Sequence, residues 1–281
     1  MSTDATSTPS ALPSVAVIGG GVMGGTLITA MKVAGWPGAS ITVANRGAAK
    51  REALVEAHGI RATADAVEAV AGAGIVVLAV KPQQMGDVLA EIADALEPGV
   101  LVVTVAAALP ASFYESRLPA GTPVVRTMPN TPSIVGRGAT SVSAGAHATE
   151  EHLAVAETML RATGLVVRVP EDLIDAVVAV AGSAPAYFFA ITEALTEAGV
   201  MQGLDRDLAT LLAQQTFTGA AQLLAESGDT PQELRRRVSS PGGVTLAALE
   251  AMTNAGLQGV ISAGANAAVA RSKEMAAQLG D

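Results

Sequence analysis

The segment SSPGGVTLAALE (239–250) places a proline and two glycines directly before a leucine-bearing helical pattern. Each glycine in a helical turn costs roughly 1 kcal/mol relative to alanine, so the two glycines indicate a role other than helix formation. Ser239 or Ser240 is expected to cap this helix, with Pro241 in its first turn. The amides of residues 242–244 would then lack intrahelical acceptors and could bind a carboxylate or phosphate. An ordinary turn between two helices is the alternative.

A second group of glycines follows the β-branched run 15–18 and precedes a helical pattern. Gly19, Gly21 and Gly24 match the G-x-G-x-x-G spacing. Its glycines allow a tight turn, close approach of a pyrophosphate and close packing of helix on strand, in that order. The spacing alone is weak in a chain with 29 glycines. Its position between a strand and a helix, with the β-rich run 41–46 one βαβ length later, predicts a dinucleotide-binding site.

The end of that second predicted strand carries Asn45 and Arg46. Sites that prefer NAD commonly place an acidic residue here to bind the ribose hydroxyls, whereas an arginine suits the additional phosphate of NADP. The pair therefore favours NADP over NAD. A solvated arginine at the start of a loop is the alternative.

The first part of the chain alternates strands and helices, which is typical of an α/β fold with a parallel sheet. The elements predicted after residue 70 are strand 74–82, helix 83–96, strand 99–108, strands 122–128 and 138–145, helix 149–162 and strand 164–169. The carboxyl ends of parallel strands face the ligand crevice of such folds. Residues 79–82, 105–107 and 126–132 are therefore expected beside it.

Beyond residue 170 the β-rich runs stop and alanine-rich helical patterns follow. Helices are predicted over 171–199, with a break from Gly182 to Pro185, and over 206–226, 231–237, 244–255 and 257–278. We expect a disordered tail over 1–12, a dinucleotide-binding domain over 13–170 and a helical substrate and dimerisation domain over 171–281. Because flat, alanine-lined helices bury little by themselves, a homodimer, or a larger homo-oligomer built from dimers, is expected.

The composition argues against several classes of function. The net charge of −9 disfavours binding of nucleic acid or of an anionic membrane surface. The chain has no cysteine, which removes disulfides, thiolate catalysis and cysteine-based metal sites and fits a cytoplasmic location. The apolar stretch 173–190 comes nearest to a membrane span, but Gly182, Ser183 and Pro185 interrupt it. No membrane span is therefore expected.

The histidine-containing segment 147–152 superficially resembles a metal-binding helix. Its two histidines are five residues apart, however, and would lie on different helix faces, unlike the i, i+4 pair of zinc proteases. Thr149 as a helix N-cap, with Glu150 and Glu151 in the first turn, explains the segment better. No metal site and no catalytic histidine are expected.

Six segments in order and spacing resemble the pyrroline-5-carboxylate reductase family and cover nearly the whole chain beyond the tail. They are IGGGVMG (18–24), NR (45–46), AVKPQ (79–83), RTMPNTP (126–132), GSAPAYFF (182–189) and SPGGVTLAALE (240–250). The last motif is the specific one. The resemblance implies reduction of 1-pyrroline-5-carboxylate to L-proline, the last step of proline biosynthesis, by an N-terminal Rossmann-type domain and an all-α dimerisation domain.

The resemblance also implies site residues. Cofactor contacts are implied for Ile18, Gly19, Gly20, Gly21, Val22, Met23, Gly24, Asn45, Arg46, Ala79, Val80, Lys81, Pro82, Val105, Ala106, Ala107, Met128, Pro129 and Asn130. Substrate contacts are implied for Ser240, Gly242, Gly243, Val244 and Thr245. The preferred cofactor is expected to be NADPH, with NADH as an alternative.

The resemblance implies that the Thr245 hydroxyl lies near the ring nitrogen of the imine. It would act as a hydrogen-bonding catalytic residue rather than as a general acid, so the iminium proton would come from solvent or with the substrate. Three positions differ from residues common among relatives, namely Ala66, Ala184 and Val244. They leave the carboxylate turn and Thr245 intact.

Two other functions stay open at this point. One is a general NADPH-dependent imine reductase, and the other is a non-catalytic nucleotide-sensing protein. A β-hydroxyacid dehydrogenase would share both domains, but it should carry a catalytic lysine in the helix after the domain boundary. Residues 171–199 contain no lysine.

Overall fold

The computed structural model describes residues 12–280. The predicted disordered tail over 1–12 lies outside these residues except for Leu12. Twelve α-helices occur in the described part of the chain. They are α1 Val22–Val33, α2 Ala48–His58, α3 Ala66–Val70, α4 Met85–Ile92, α5 Ala111–Glu115, α6 Glu150–Leu160, α7 Ile174–Val177, α8 Ala184–Met201, α9 Arg206–Glu226, α10 Pro231–Arg237, α11 Val244–Asn254 and α12 Leu257–Gly280.

Eight strands form one sheet in the order β3-β2-β1-β4-β5-β6-β7-β8. They are β1 Val15–Ile18, β2 Ile41–Ala44, β3 Arg61–Thr63, β4 Ile75–Leu78, β5 Leu101–Thr104, β6 Val124–Met128, β7 Gly138–Ala144 and β8 Gly164–Arg168. All neighbouring pairs are parallel except β6 with β7. This is the doubly wound Rossmann-type arrangement, so the predicted fold class is confirmed.

The sheet is buried on both faces, which explains why its central strands are continuous runs of valine, isoleucine and leucine. One face packs against a cluster that includes Leu89 and Tyr114, and the other packs against a cluster that includes Ile28 and Trp36. Residues 18, 44, 78 and 104 are aligned across β1, β2, β4 and β5. The loops after these four strands therefore emerge at the same edge of the sheet.

Three short elements were not predicted from the sequence, namely β3, α3 and α5. The three residues of β3 are exposed or half-buried, and so they show no clear alternation of apolar and polar side chains. The start of α3 does carry a recognisable signal, because the Asp65 side chain accepts hydrogen bonds from the amides of Val67 and Glu68. Elements this short contain too few residues for periodicity to be measured.

The described chain divides into two compact units. One contains the chain up to Gly182 together with the stretch from Val269 onward, and the other is Ser183–Ala268. The first unit extends past Pro170, where the Glu171 carboxylate accepts hydrogen bonds from the Ala111 amide (2.7 Å) and from Arg126 (3.0 Å). The predicted domain boundary near residue 170 stays a prediction.

The predicted break in the first helix of the C-terminal half is confirmed. A π-helical turn over Val178–Gly182 separates α7 from α8, and α8 begins at Ala184 with Pro185 in its first turn. By length and composition alone, the helical stretch Glu171–Met201 could cross a membrane. The expectation that the chain does not span a membrane stays a prediction.

Candidate active site

The turn between β1 and α1 has the geometry that the glycine spacing predicts. Gly19 has a φ of +107°, and a Cβ there would lie 2.6 Å from the carbonyl oxygen of Ala79. A Cβ on Gly24 would collide with the Gly19 carbonyl oxygen, so this glycine lets α1 approach the turn closely. Gly21 is the N-cap of α1, and within the described chain no heavy atom lies within 4 Å of where its Cβ would be. The backbone is therefore open at the helix N-terminus, where a pyrophosphate group would fit.

Asn45 connects the first glycine turn to the loop after β2. Its Oδ1 accepts a hydrogen bond from the Gly20 amide (3.2 Å), and its Nδ2 donates to the Gly47 carbonyl oxygen (3.2 Å). The side chain thus spans two loops that lie 25 residues apart in sequence. Asn45 is a structural tie between these loops as well as a residue of the predicted site.

A cavity of about 450 Å³ lies at this edge of the sheet. Eight of the predicted cofactor residues line it, namely Ile18, Gly19, Gly21, Asn45, Arg46, Ala79, Val80 and Lys81. The cavity fits the group that the glycine spacing implies, because open backbone at a helix N-terminus and two basic side chains suit a phosphate-bearing nucleotide.

The remaining predicted cofactor residues do not line this cavity. They are Gly20, Val22, Met23, Gly24, Pro82, Val105, Ala106, Ala107, Met128, Pro129 and Asn130. Ala106 is 5% exposed. Its amide donates to the Thr104 hydroxyl inside the protein. Contact between these residues and a cofactor stays a prediction.

The structure adds one wall of the cavity that the sequence reasoning missed. Gln84, Asp87, Val88 and Glu91 line it from the segment at and after the start of α4, and Ala44, Ala64 and Ala66 line it elsewhere. The four positions at and within α4 follow the i, i+3, i+4, i+7 spacing of one helix face. That spacing, in the helix that follows β4, is the signal that could have identified this wall.

Asn130 uses its side chain within the protein. Its Oδ1 accepts from the Ala139 amide (2.9 Å), and its Nδ2 donates to the carbonyl oxygen of Ala181 (3.0 Å). The residue therefore joins the end of β6 to β7 and to the π-helical turn. Gly182, the last residue of that turn, packs so closely that a Cβ would lie 2.9 Å from Cε of Met128.

A buried polar network lies beneath the loops after β5 and β6. The Thr104 and Tyr114 hydroxyls are 2.8 Å apart, and the Thr127 hydroxyl donates to the Thr104 carbonyl oxygen. Burial raises the pKa of Tyr114 to about 12, and the hydrogen bond with Thr104 opposes that rise. The Arg126 side chain is 8% exposed and pairs with Glu171. Arg126, expected beside the crevice, is thus held inside the first unit.

The glycine-rich turn before α11 differs from the prediction. The helix begins at Val244 with Gly243 as its N-cap, so neither serine caps it and Pro241 precedes its first turn. The Gly243 amide donates to the Ser240 carbonyl oxygen (2.9 Å), and Gly242 has a φ of +72°. Proline followed by a left-handed glycine suits the two central positions of a type II turn, which explains the sequence without placing these residues in the helix.

The expected patch of open amides is consequently displaced along the chain. The Gly243 amide is not open, because the turn satisfies it. The first intrahelical donor is Ala247, whose amide bonds to the Gly243 carbonyl oxygen (3.3 Å). In the described part of the chain, the amides of Val244, Thr245 and Leu246 have no backbone acceptor. These three donors, at the positive end of the α11 dipole, can bind a small anion.

Thr245 is placed at the second position of α11, where its hydroxyl and amide lie in the same helical turn. It is half-buried, whereas Val244 is 89% exposed. Among residues 12–280, the Thr245 hydroxyl has no hydrogen-bond partner, unlike Thr253, whose hydroxyl bonds back to the carbonyl oxygen of Leu249. An unengaged hydroxyl beside open amides can contact a ligand that carries both a carboxylate and a nitrogen.

The segment around Thr149 behaves as expected for a helix start. Thr149 is the N-cap of α6, and its amide donates to Nδ1 of His152 (3.0 Å) in a capping box. Within residues 12–280, no group of three His, Cys, Asp or Glu residues could hold a metal ion. The absence of a metal site from the whole protein stays a prediction.

Comparison with known proteins agrees with both units. Residues 171–275 match a family profile described as pyrroline-5-carboxylate reductase dimerisation, and residues 14–108 match one described as NADP oxidoreductase coenzyme F420-dependent. The chain is 41% identical to the pyrroline-5-carboxylate reductase of Pseudomonas aeruginosa, covering 95% of this chain and 98% of the relative. It is 40% identical to that of Corynebacterium melassecola, covering 94% and 99%.

A solved structure of a pyrroline-5-carboxylate reductase from Coxiella burnetii superimposes with a TM-score of 0.88 at 37% identity, covering 94% of this chain and 98% of that one. Both the sequence and the fold therefore match over nearly the full length of the relatives. The glycine turn, the cavity at the strand ends and the helix start at Val244 lie within the matched length. The chain belongs to the pyrroline-5-carboxylate reductase family.

Proposed function

We propose that this protein reduces 1-pyrroline-5-carboxylate to L-proline, the last step of proline biosynthesis, using NADPH in preference to NADH. The observation that carries the proposal is the identity of 40% and 41% to two reductases of this name over nearly their full length. The matched length includes the cofactor cavity and the turn before α11. A general imine reductase does not require a turn that binds a carboxylate. A nucleotide sensor does not require a hydroxyl at Thr245, because it reduces no imine.

The cofactor is assigned to the cavity at the strand ends. Gly19 and Gly24 shape the turn, Gly21 leaves the α1 N-terminus open to the pyrophosphate, and Arg46 supplies a positive charge for the 2′-phosphate. When bound, NADPH supplies a hydride from C4 of its nicotinamide. The profile match over residues 14–108, described as NADP oxidoreductase coenzyme F420-dependent, supports a nicotinamide dinucleotide phosphate in this cavity.

The substrate carboxylate is assigned to the turn and first helical residues from Ser240 to Thr245. The amides of Val244 and Thr245 donate to the carboxylate, with Leu246 as a further donor at the same helix end. Gly242 and Gly243 hold the turn that presents them, and Gly243 leaves no side chain between the turn and the ligand. The Thr245 hydroxyl oxygen would then accept a hydrogen bond from the N–H of the protonated imine, and the hydroxyl would donate to the lone pair that nitrogen regains on reduction.

The proposed mechanism does not assign a protein acid to the imine nitrogen. A threonine hydroxyl both donates and accepts hydrogen bonds but is a very weak acid, so it orients the imine without protonating it. The iminium proton is supplied by solvent or by the substrate itself. The protein contributes positioning, by fixing the imine carbon against the cofactor, and a hydrogen bond at the nitrogen.

The active form is proposed to be a homodimer, or an oligomer built from dimers, formed through the helical unit. In that unit Phe189 is 59%, Met201 83% and Leu211 64% exposed. A groove of about 840 Å³ in the same unit is lined partly by the apolar side chains of Leu246 and Leu249. A monomer that exposes this much apolar surface needs a partner to cover it, and a second copy is proposed, as the dimerisation profile supports. A cytoplasmic location and the absence of nucleic-acid and membrane partners are proposed with it.

The test is an NADPH-oxidation assay on the purified protein with 1-pyrroline-5-carboxylate and, in parallel, with 1-pyrroline lacking the carboxylate. Two or more charge-assisted hydrogen bonds at about 1.5–3 kcal/mol each predict a preference for the carboxylate of roughly 100-fold or more in kcat/KM. Equal activity on the two imines would instead identify a general imine reductase. Nucleotide binding without turnover on either imine would identify a nucleotide-sensing protein.

A further inference from the structure

The start of α2 carries an uncommon concentration of positive charge. Arg46 immediately precedes the Gly47 N-cap, Lys50 and Arg51 follow it within the first turn, and no acidic residue is present in that turn. Within residues 12–280, none of the three basic side chains lies within salt-bridge distance of a carboxylate. Positive charge at a helix N-terminus is unfavourable because it faces the positive end of the dipole. In a chain with a net charge of −9, a bound anion would stabilise such a cluster.

Arg51 makes contacts that the other two basic residues do not make. One terminal nitrogen of its guanidinium donates to the carbonyl oxygens of both Asn45 (2.7 Å) and Arg46 (2.9 Å). The same loop is held from its other side by the Asn45 side chain, which bonds to Gly20 and Gly47. The main chain that carries Arg46 is therefore fixed by hydrogen bonds from the helix behind it and from the glycine turn beside it.

Arg46 and Arg51 face different surroundings. Arg46 lines the cofactor cavity, whereas Arg51 does not line it and borders a separate depression with Glu52 and Val55. Arg51 therefore acts on the cavity through the main chain of Asn45 and Arg46 rather than by direct contact. Because a terminal guanidinium nitrogen carries two N–H groups, it can donate to two successive carbonyl oxygens at once.

We infer that Arg51 is a positioning residue for cofactor selection: by bonding the Asn45 and Arg46 carbonyl oxygens, it holds the Arg46 side chain where it meets the 2′-phosphate of NADPH. This inference rests on the proposed function, which assigns the nucleotide to the cavity and the 2′-phosphate to Arg46. NADH lacks the phosphate, so removal of the Arg51 bonds lowers efficiency with NADPH more than with NADH. The ratio of the two efficiencies is the quantity that reports the role.

The experiment compares the parent protein with Arg51→Met, Arg46→Ala and the double variant. For each, kcat and KM are measured with NADPH and with NADH at saturating 1-pyrroline-5-carboxylate. Arg51→Met is expected to raise the KM for NADPH about 5- to 10-fold, with kcat and the NADH parameters little changed. The double variant is expected to show the same ratio of NADPH to NADH efficiency as Arg46→Ala alone, because Arg51 acts only through Arg46.

Two further variants separate positioning from other effects. Arg51→Lys keeps a cation that can donate to both carbonyl oxygens, and it is expected to recover most of the NADPH preference. Lys50→Met removes one positive charge from the same helical turn without removing a bond to the loop, so it is expected to change the ratio less than Arg51→Met. Thermal unfolding of each variant identifies any that fails to fold. If Arg51→Met fails to fold, Arg51→Gln, a second neutral replacement, serves as the test, with the same loss of NADPH preference expected.

Three results would overturn the inference. The first is equal loss of efficiency with NADPH and NADH in Arg51→Met, which would indicate a purely structural residue. The second is a double variant whose losses multiply independently. The third is a loss in Lys50→Met as large as that in Arg51→Met, which would indicate general charge. Affinities for NADP⁺ and NAD⁺, measured by calorimetry on the same variants, test the inference even if 1-pyrroline-5-carboxylate is not turned over, so failure of the proposed function is distinguishable.

Discussion

A methyl group added at Gly19 would clash with the protein, whereas one added at Gly21 would lie in open space. Alanine substitutions at these two glycines therefore test whether the cavity binds the pyrophosphate of the cofactor. At Gly21 the φ is −65°, which any residue adopts, and within the described chain no atom lies within 4 Å of the new Cβ. Alanine is a poorer N-cap than glycine by up to about 1 kcal/mol, but it also reduces the entropy of the unfolded chain by about 0.4–1 kcal/mol. Gly21→Ala is therefore expected to leave the free energy of unfolding nearly unchanged.

The same methyl group at position 21 would occupy the space in which the pyrophosphate approaches the backbone. Overpacking of one methyl group typically costs about 1–3 kcal/mol, which corresponds to a loss of nucleotide affinity of roughly 5- to 150-fold. The loss should be similar for NADPH and NADH, since both carry the pyrophosphate. Affinity is measured by fluorescence titration with each nucleotide, and stability is measured by urea unfolding of the same preparations.

Gly19→Ala is the matched comparison, and it should destabilise the fold itself. The φ of +107° is unfavourable for a residue with a Cβ, by about 1–2 kcal/mol, and the new Cβ would lie 2.6 Å from the Ala79 carbonyl oxygen. That oxygen belongs to the main chain after β4, so it cannot move aside cheaply. A total loss of about 2–5 kcal/mol is expected. Parent-like affinity of Gly21→Ala for both nucleotides would refute a pyrophosphate site at Gly21. Unfolding of Gly21→Ala as readily as Gly19→Ala would refute the open space around its Cβ.

Three further predictions address the substrate turn and the buried network. A Cβ at position 243 would lie 2.5 Å from the Ser240 hydroxyl oxygen, so Gly243→Ala should raise the KM for 1-pyrroline-5-carboxylate. The affinity for NADPH, measured by calorimetry, should stay constant. A lower NADPH affinity would contradict the assignment of the two ligands to separate sites. Thr245→Val should lower kcat about 10- to 100-fold at unchanged nucleotide affinity, and Thr245→Ser should restore much of it; an active valine variant would remove the hydroxyl from the mechanism. Burial raises the pKa of Tyr114 from 10.0 to about 12, so its contribution to stability is complete below pH 10 and falls as the pH rises from 10 to 12. Urea unfolding between pH 8 and pH 11 should show a steeper decline for the parent than for Tyr114→Phe, and identical slopes would contradict the shift.

Local sequence patterns were enough to predict the alternation of strands and helices and the break before α8. They also placed the glycine spacing after β1 and the N-cap at Thr149. Each of these depends on residues within one or two turns of one another, such as the β-branched run before Gly19 or Pro185 just after Gly182. The short elements β3, α3 and α5 were missed because three to five residues cannot display a period.

The site residues depended more on contacts between distant segments. Eight predicted cofactor residues line the cavity, while Asn130 proved to use its side chain to join β7 and the π-helical turn. The prediction for the turn before α11 was wrong in detail. The sequence does not show whether Pro241 and Gly242 lie inside the helix or form a separate turn ahead of it. The Gly243 amide then binds the Ser240 carbonyl oxygen instead of remaining open.

By itself the sequence determined the class of fold and the kind of cofactor, because these follow from residue types at short, fixed spacings, and six motifs in order along the chain indicated the family by resemblance. Only the tertiary structure decided which backbone groups remain open to a ligand and which side chains hold the site loops. Gly19 meets Ala79, and Asn45 meets Gly20, only after β1, β2 and β4 have aligned in the sheet. Close approaches and hydrogen bonds of this kind involve whichever partner the folded chain brings near, and spacing along the sequence does not reveal that partner.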